Sequence, residues 1–282
     1  MSHRLRIASV NVNGIRAAAR KGMGEWLAGA EVDIMALQEV RATAEQLAEA
    51  LPGWRLVNDE ALAKGRAGVA IAARTRGVEM RRGLGDDAVD SAGRWIEADF
   101  DVDGERVTVV SAYVHTGEVD TPRQDDKWAF LDAMEERMPQ LAATTPLALI
   151  MGDLNVGHRE LDIRNWRGNR KKSGFLPRER AYLDRFLAPA GETVDTVDGA
   201  QGIGLGWVDV GRRFHGEVDG PYTWWSMRGR AFDNDTGWRI DYHLATPALA
   251  DRVTDYRVVR ALSWDTRWSD HAPVIADYTF GA

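Results

Sequence analysis

Cysteine is absent from this chain, and no apolar run in it approaches the length of a membrane-spanning helix. The absence of thiols excludes disulfide bonds and thiolate metal sites. A helix that crosses a bilayer needs about 20 apolar residues, and residues 1–6 lack the apolar core of a signal peptide. We therefore expect a cytoplasmic protein that does not act at a membrane.

Low-complexity tracts and Pro/Ser/Gly-rich linkers are also lacking, although 44% of the 282 residues are hydrophobic. A chain of this length and composition can bury one large core or two small ones. Because nothing in the sequence marks a boundary, we predict a single domain that spans residues 1–282.

Positive charge is in short supply over the whole chain, whose formal net charge is −7. This is mild evidence against a nucleic-acid partner. Residues 159–185 are the exception, because nine cations and four anions leave that segment at +5 and the remainder at −12. Nearby charges count most in salt solution, so a local basic face can bind a polyanion on an acidic protein.

Short apolar runs alternate with amphipathic segments, which indicates an α/β protein. Several of these runs are apolar nearly throughout, so both faces of those strands are expected to be buried. A glycine in residues 101–105 permits a hairpin turn between two of them. The predicted strands are 5–10, 32–37, 68–73, 94–100, 106–114, 147–151, 239–245, 255–259 and 273–280.

Two helices have clear start signals. Thr121, Pro122 and Gln124 predict an N-cap, a first helical residue and a capping box, and an apolar stripe follows at spacings of three to four. The second helix is predicted to begin at Pro177. Residues 199–206 contain four glycines and are expected to form a mobile loop. Their glycine spacing is only weak evidence for nucleotide binding, because no strand precedes them and no helix follows.

Acids, amides and one imidazole stand at the ends of predicted strands in five separate places. A single such residue is usually a cap or a turn. Five cases in one chain favour a shared pocket, because strand ends on one side of a sheet converge. The residues are Asn11 and Asn13, Gln38 and Glu39, Asp153 and Asn155, Asp241, and Asp270 with His271.

Clustered carboxylates repel one another unless a cation lies among them. Oxygen ligands without cysteine favour Mg²⁺ or Mn²⁺ over zinc. A hard cation, a spare carboxylate, a histidine and amide donors are the groups needed for water to attack a phosphodiester. A purely structural cation site would not require the histidine.

At these positions the sequence resembles the exonuclease III family of apurinic/apyrimidinic endonucleases, within the endonuclease/exonuclease/phosphatase superfamily. The GD-x-N and SDH blocks mark the superfamily, whereas RN-x-x-GN, GF-x-P-x-ER and GWR-hydrophobic-D are more specific to the DNA-repair branch. The matching blocks are NVNGIR (11–16), LQE (37–39), AYV (112–114), GDLNV (152–156), RNWRGN (164–169), GFLPRER (174–180), YTWW (222–225), GWRIDY (237–242) and SDHAP (269–273).

The resemblance implies an α/β fold, a four-layer sandwich of two packed mixed β-sheets flanked by helices. It implies hydrolysis on the 5′ side of abasic sites in duplex DNA, with 3′-to-5′ exonuclease and 3′-end-cleaning activity. Mg²⁺ is the implied cofactor, for which Mn²⁺ substitutes. The implied partner is double-stranded DNA with abasic sites or blocked 3′ ends, bound by a monomer associated with a bacterial nucleoid.

The resemblance also assigns roles around the metal and the attacking water. Glu39 is implied as the main metal carboxylate, with Asn11 and Asp270 completing or supporting the metal site. Asp153 is implied to deprotonate or align the water, and Asn155 to hold that water and a phosphate oxygen.

Three further residues are implied to act on the phosphate. His271 would donate to a non-bridging oxygen and would be oriented by Asp241, while Tyr113 would stabilise charge on the phosphate or the leaving group. This division is physically reasonable, because an in-line displacement needs charge neutralised on both sides of phosphorus and preorganised donors supply most of that stabilisation.

Trp224, Trp238 and Ile240 match positions that form the pocket for a flipped-out abasic deoxyribose. Aromatic walls would admit a sugar without a base and exclude a normal nucleotide, and an abasic nucleotide loses no stacking when it leaves the helix. The alternative for these apolar residues is core packing, which is the interpretation we favour for Trp225.

A last group of residues matches positions that contact DNA, although a solvated charged face remains an alternative for each cation. Two departures from relatives concern the same interface: Thr116 replaces a phosphate-binding amide, and Arg66 stands where relatives often have an aromatic residue or histidine. The predicted DNA contacts are Arg16, Arg20, Lys21, Asn165, Asn169, Arg170, Lys171 and Lys172.

Two other functions remain open from the sequence. A phosphoesterase acting on a phospholipid or an inositol phosphate would share Glu39, Asp153 and His271, but the basic segment and the paired tryptophans argue against it. A non-catalytic DNA-binding scaffold would tolerate loss of the strand-end acids, and all of those acids are present.

Overall fold

The computed structural model describes residues 3–63, 65–75, 77, 79–85, 90 and 92–281. All nine predicted strands are present within a few residues of their expected bounds. The strands are β1 (His3–Asn11), β2 (Ile34–Gln38), β3 (Arg55–Asp59), β4 (Val69–Ala73), β5 (Glu79–Arg82), β6 (Trp95–Val102), β7 (Glu105–Tyr113), β8 (Ala148–Asp153), β9 (Thr193–Asp195), β10 (Gln201–Ile203), β11 (Val208–Asp209), β12 (Asp241–Ala245), β13 (Val253–Val258) and β14 (Val274–Phe280).

Two six-stranded mixed sheets are built to the same plan. The first has the order β13-β14-β1-β2-β4-β3 and the second β11-β12-β8-β7-β6-β5. Each has one parallel pair at its centre, β1 with β2 and β7 with β8, and its other neighbours are antiparallel. Strands β9 and β10 form a separate hairpin.

Helices cover the outer faces of both sheets, which produces the four-layer sandwich and confirms the fold class. Side chains that alternate along each strand separate into an inter-sheet core, with Ile7 and Leu149, and outer cores, with Val10 and Ile150. The helices are Ile15–Arg20, Met23–Ala30, Ala44–Ala50, Pro122–Thr144, Trp166–Asn169, Pro177–Leu187, Val210–His215 and Pro247–Ala250, with 3₁₀ turns at Glu160–Asp162 and Trp264–Thr266.

Burial on both faces explains why the central strands are apolar throughout. All residues of β2, β4, β8 and β12 are buried. The predicted hairpin turn joins β6 to β7, where Asp103 and Gly104 both take positive φ values of 53° and 82°, as a two-residue turn of this type requires.

Some sequence predictions were wrong. Gln124 closes no capping box, because its side chain donates to Glu179 instead, and the Thr121 hydroxyl donates to the carbonyl of Glu118. The predicted glycine loop at 199–206 contains β10, which pairs with β9. No helix in the part of the chain that the structure describes is long and apolar enough to cross a membrane.

Candidate active site

The polar residues at the strand ends gather at one edge of the sandwich. Strands β1 and β8 end there with Asn11 and Asp153. Strands β12 and β14 run antiparallel to them, so their first residues lie at the same edge. Asp241 begins β12 opposite Asp153, and His271 lies three residues before β14. Five distant stretches of chain therefore meet where the two sheets face each other.

Asn11 connects the two sheets at this edge. Its side-chain amide donates to Glu39 Oε1 and to Asp153 Oδ2, both at 2.9 Å. Its side-chain oxygen accepts the backbone N–H of Asn13 at 3.0 Å. The amide nitrogen of Asn11 therefore holds the carboxylates of Glu39 and Asp153 side by side, while its amide oxygen is hydrogen-bonded to a backbone N–H.

Sharp turns place the residues that follow β2 and β8 beside this edge. Glu39 and Asn155 have φ values of 50° and 51°, in the left-handed region that asparagine adopts more readily than most residues. The backbone N–H of Asn155 donates to Asp153 Oδ1 at 2.9 Å, and its side-chain amide donates to the carbonyl of Val114 and to Asp153 Oδ2.

Asp241 and His271 form a buried pair. His271 Nδ1 lies 2.9 Å from Asp241 Oδ2, and Nε2 lies 3.7 Å from Asp153 Oδ2. Burial lowers the pKa of the imidazole, but the carboxylates of Asp241 and Asp153 outweigh burial and raise that pKa to about 10. His271 is therefore an imidazolium at neutral pH, with its Nε2 proton on the Asp153 side.

Asp153 is the most perturbed carboxyl group of the cluster. Burial raises its pKa to about 7, and the carboxylates of Asp241 and Glu39 act in the same direction, while His271 and the Asn11 amide oppose them. A carboxyl group that titrates near neutral pH can accept a proton from a nucleophile under physiological conditions.

The cluster is suited to a divalent cation. One ligand atom each from Asp153, Asp241 and His271 lies within 4.8 Å of the other two, and all three residues are buried. Glu39 contributes a further carboxylate through its shared amide with Asp153. Carboxylate oxygens that crowd in a buried site repel one another, and a hard cation among them would relieve that repulsion.

Tyr113 ends β7 beside the same cluster. Burial raises the pKa of its hydroxyl, and the carboxylates of Glu39 and Asp153 add to that effect, so the phenol remains a neutral donor. The guanidinium of Arg94 lies 4.4 Å from the centre of its ring. Arg41 pairs with Glu39, and together with Arg66 these cations line a cleft that opens beside the phenol.

An aromatic wall stands on the other side of His271. The rings of Trp224 and Trp238 meet edge to face with centroids 6.1 Å apart, and Trp224 lies 6.4 Å from the imidazole. Both indoles are partly exposed, whereas Ile240 is buried. Asp270 accepts the Trp224 indole N–H at 3.1 Å and the Asn13 amide at 2.8 Å.

Comparison with known proteins agrees with this geometry. Residues 8–271 match the Endonuclease/Exonuclease/phosphatase family. The chain belongs to this family. It is 30% identical to the exodeoxyribonuclease of Bacillus subtilis over 96% of this chain and 98% of that protein.

Two solved structures of family members are close matches. A 3′ phosphatase from Neisseria, bound to product DNA hairpin, superimposes with a TM-score of 0.82 at 28% identity, covering 98% of this chain and all 100% of that one. An AP endonuclease from Archaeoglobus fulgidus superimposes with a TM-score of 0.80 at 27% identity, covering 97% and 99%.

The residues predicted to contact DNA lie on two exposed segments of this family member. Arg16, Arg20 and Lys21 are exposed on and after the helix that follows β1. The other segment surrounds the helix Trp166–Asn169, in which the Asn169 amide donates to the carbonyl of Asn165. Arg170, Lys171 and Lys172 follow it and are exposed.

The basic segment is less positive than its composition suggested. Four of its nine cations pair with acids from elsewhere in the chain, which partly neutralises them. Within the part of the chain that the structure describes, no ion pair engages Arg167, Arg170, Lys171 or Lys172. The four pairs are Arg159–Glu217, Arg164–Asp219, Arg178–Asp132 and Arg185–Glu135.

Several buried polar residues near the site had no signal in the sequence. Asp209 is buried, caps the helix Val210–His215 and pairs with Arg239 at 2.7 Å. Thr223 accepts the N–H groups of Ile240 and Asp241 at 3.1 Å each. Alternation of apolar residues cannot reveal such contacts, because each one joins segments far apart in sequence.

Proposed function

We propose that this protein is a DNA-repair nuclease that cleaves duplex DNA on the 5′ side of abasic sites. The same site would remove nucleotides and blocking groups from 3′ ends, as the names of its relatives indicate for those proteins. The observation that carries the proposal is the buried Asp153–Asp241–His271 cluster with the Trp224–Trp238 wall directly beside it.

We propose Mg²⁺ as the physiological cofactor, with Mn²⁺ as a substitute. Glu39 would hold the ion, directly or through water. Asn11 and Asp270 would complete or support the site, Asn11 by keeping the carboxylates of Glu39 and Asp153 side by side. When bound, such a cation polarises a phosphoryl oxygen and lowers the pKa of a bound water. The carboxylate oxygens of this set are compatible with this hard cation, whereas the His271 imidazolium is left to donate to the phosphate.

Asp153 is the residue best suited to take the proton of the attacking water. Its pKa of about 7 leaves a substantial fraction ionised at neutral pH. Asn155, which is held against Asp153 through its backbone N–H, would orient that water and a phosphate oxygen.

His271 and Tyr113 are suited to stabilise charge on the phosphate. The imidazolium carries a fixed positive charge and has its Nδ1 side occupied by Asp241, which leaves Nε2 to donate. Tyr113 keeps its proton across the physiological range and can donate to an oxygen that gains charge. Preorganised donors of this kind supply much of the stabilisation of a phosphoryl transition state.

The Trp224–Trp238 wall supports an abasic nucleotide as the preferred endonuclease substrate. Two partly exposed indoles set edge to face provide apolar surface for a deoxyribose beside His271. Extrusion of an abasic nucleotide is cheap because it sacrifices no base stacking. We further propose that the chain acts as one domain and as a monomer, and that it works in the bacterial cytoplasm at the nucleoid.

A gel assay with four substrates tests the proposal. Abasic duplex, blunt duplex, 3′-phosphorylated duplex and an inositol phosphate are each incubated with Mg²⁺ and, separately, with EDTA. We expect cleavage of the three DNA substrates with Mg²⁺ and none with EDTA. Release of phosphate from the inositol compound without DNA cleavage would favour the lipid-type phosphoesterase, and DNA binding without any cleavage would favour a scaffold.

Asp153→Asn provides the matched inactive variant in the same gels. The amide keeps the size of the carboxylate but takes up no proton, and it can accept hydrogen bonds at only one of the two positions that Asp153 uses, so cleavage should fall by roughly 100-fold or more. Binding to abasic duplex in EDTA, measured by fluorescence anisotropy, should be retained. Asp195→Asn, on the exposed β9, is the control and should cleave normally.

A further inference from the structure

A lysine in the helix Pro122–Thr144 is buried against the loops that carry the site. The side chains of Lys127 and Glu179 are both 0% exposed, and their charged atoms lie 2.7 Å apart. Burial lowers the pKa of the lysine, while the carboxylates of Glu179 and Asp153 oppose that change. A cation is seldom buried completely, because its desolvation is costly unless several partners compensate.

All three N–H groups of the ammonium are engaged. Besides Glu179, Lys127 donates to the carbonyl of Asn155 at 2.9 Å and to that of Thr116 at 3.2 Å. The hydroxyl of Ser173 lies 3.4 Å from the same nitrogen, 2.7 Å from the carbonyl of Thr116 and 3.0 Å from Glu179 Oε1, and it donates its one proton to either acceptor. One nitrogen therefore joins three chain segments.

These segments are the ones that surround the reacting phosphate in the proposed function. Thr116 follows Tyr113, Asn155 follows Asp153, and Ser173 directly follows the exposed cations Lys171 and Lys172. The carbonyl of Asn155 is of particular interest, because this residue has a φ of 51°. A left-handed backbone at a residue other than glycine persists only where its surroundings hold it.

We propose that Lys127 is a positioning residue of the nuclease reaction, which holds the Asn155 and Thr116 loops in register with the basic segment. It touches neither substrate nor metal. Glu179 compensates the buried charge, and the two carbonyl contacts produce the functional effect. This inference rests on the proposed function for the choice of substrate and for the role of Asn155.

Loss of stability must be separated from loss of positioning. Lys127→Met keeps the length of the side chain but strands the Glu179 carboxylate, so the single variant is expected to lose thermal stability. The double variant Lys127→Met/Glu179→Gln removes both charges; its amide oxygen can still accept from the Leu176 N–H, and its amide nitrogen can donate to the Ser173 hydroxyl. We therefore expect the double variant to regain much of the Tm lost by Lys127→Met.

The double variant should not regain the wild-type kcat, although it regains stability. Steady-state kinetics of the full chain on abasic duplex, well below each Tm, should give a kcat roughly 10- to 100-fold below wild type for the double variant, because small misplacement of an orienting group is costly. The KM should change little. Arg137→Met on the same helix removes a partner of the buried Glu97 and is the control, with a lower Tm and an unchanged kcat.

Non-additivity provides the second measurement. If Lys127 acts through Asn155, then adding Lys127→Met/Glu179→Gln to Asn155→Ala should lower kcat by less than threefold further, because coupled residues do not act independently. A double variant with wild-type kcat, or a full additive loss in the combined variant, overturns the inference. If the double variant does not regain the Tm lost by Lys127→Met, the kcat of the variant that also carries Asn155→Ala still tests whether Lys127 acts through Asn155. A wild-type protein that cleaves no DNA would instead refute the proposed function.

Discussion

Trp238 is the residue at which the two proposed activities should separate. Its ring contacts the partly exposed Trp224 and lies against Gly174, where an added Cβ would come within 2.7 Å of the indole. A sugar pocket requires this wall only when an internal nucleotide has to leave the duplex. A 3′ end can reach the same carboxylates by fraying.

Trp238→Ala should therefore reduce abasic-site cleavage more than removal of a 3′ phosphate. We expect a difference of roughly 10-fold or more in the ratio of the two kcat/KM values, since the apolar surface that a large side chain buries is worth about 1.5–3 kcal/mol. Trp54→Ala is the matched control, because this half-buried tryptophan packs under Arg74 on the other sheet. Equal losses on both substrates would argue against a sugar pocket.

At the residue scale, the sequence revealed the groups that stand at strand ends. Asp153, Asp241 and His271 break apolar runs at points where a sheet edge must expose them, so their convergence could be predicted. The burial of Lys127 and of Arg94 near the site could not be predicted, because a single cation next to an apolar stripe is most often solvated. Only the packing of Pro177–Leu187 against Pro122–Thr144 shows that Lys127 is enclosed.

At the element scale, a buried ion cluster holds the segment that leads into β12. Arg239 donates to Asp162 and to Asp209 at 2.7 Å each, and Arg212 also pairs with Asp162. This cluster joins the turn Glu160–Asp162, the short strand β11 and the strand that begins with Asp241. The cluster therefore fixes the position of Asp241, the residue that pairs with His271.

The cluster should make stability depend on pH in a defined window. Burial raises the pKa of Asp162, but Arg239 and the other donors outweigh burial and hold it at about 2, below its unfolded value of 3.8. A depressed pKa contributes stability above the unfolded value and loses it as the pH falls. The contribution of Asp162 is therefore complete at pH 5 and partly lost at pH 3.

Asp162→Asn should be less stable than wild type at pH 5. The difference in the free energy of unfolding between the two proteins should become smaller by about 1 kcal/mol at pH 3. Urea denaturation at both pH values measures this change. Asp219→Asn, which replaces an exposed acid 3.3 Å from Arg164, is the control and should alter stability little at either pH. A gap that stays constant from pH 5 to pH 3 would contradict the assignment of the low pKa to Asp162.

Most of the strands that could be predicted have both faces covered, although the partly buried edge strand β13 was also predicted. Strands β2, β4 and β8 lie inside the sandwich, and their continuous apolar runs follow from that position. The edge strand β3 and the β9–β10 hairpin were missed, because their side chains are only partly buried and need little hydrophobicity. Such strands form because they pair with a neighbouring strand, and local composition does not indicate that pairing.

At the scale of the whole molecule, a net charge of −7 must be reconciled with a polyanionic substrate. Ion pairs inside the fold explain part of this, because many acids are paired with arginines and therefore contribute little to the electrostatic potential at the surface. The exposed cations without partners among the described residues then dominate locally. Lys171 and Lys172 stand at the end of the loop that Ser173 fastens to Thr116, directly beside the proposed site.

The salt dependence of binding should report on these two lysines. Each phosphate contact contributes about 0.9 to the slope of log K against log salt concentration, so Lys171→Ala/Lys172→Ala should reduce that slope by nearly two while leaving kcat at saturation close to wild type. Arg159→Ala/Arg164→Ala removes the same charge from cations already paired with Glu217 and Asp219, and should change the slope less. Anisotropy titrations of abasic duplex in EDTA at several salt concentrations measure both. If the paired and unpaired cations shift the slope equally, DNA responds to the net charge of the segment and not to two contacts, and the loop has no special place in the interface.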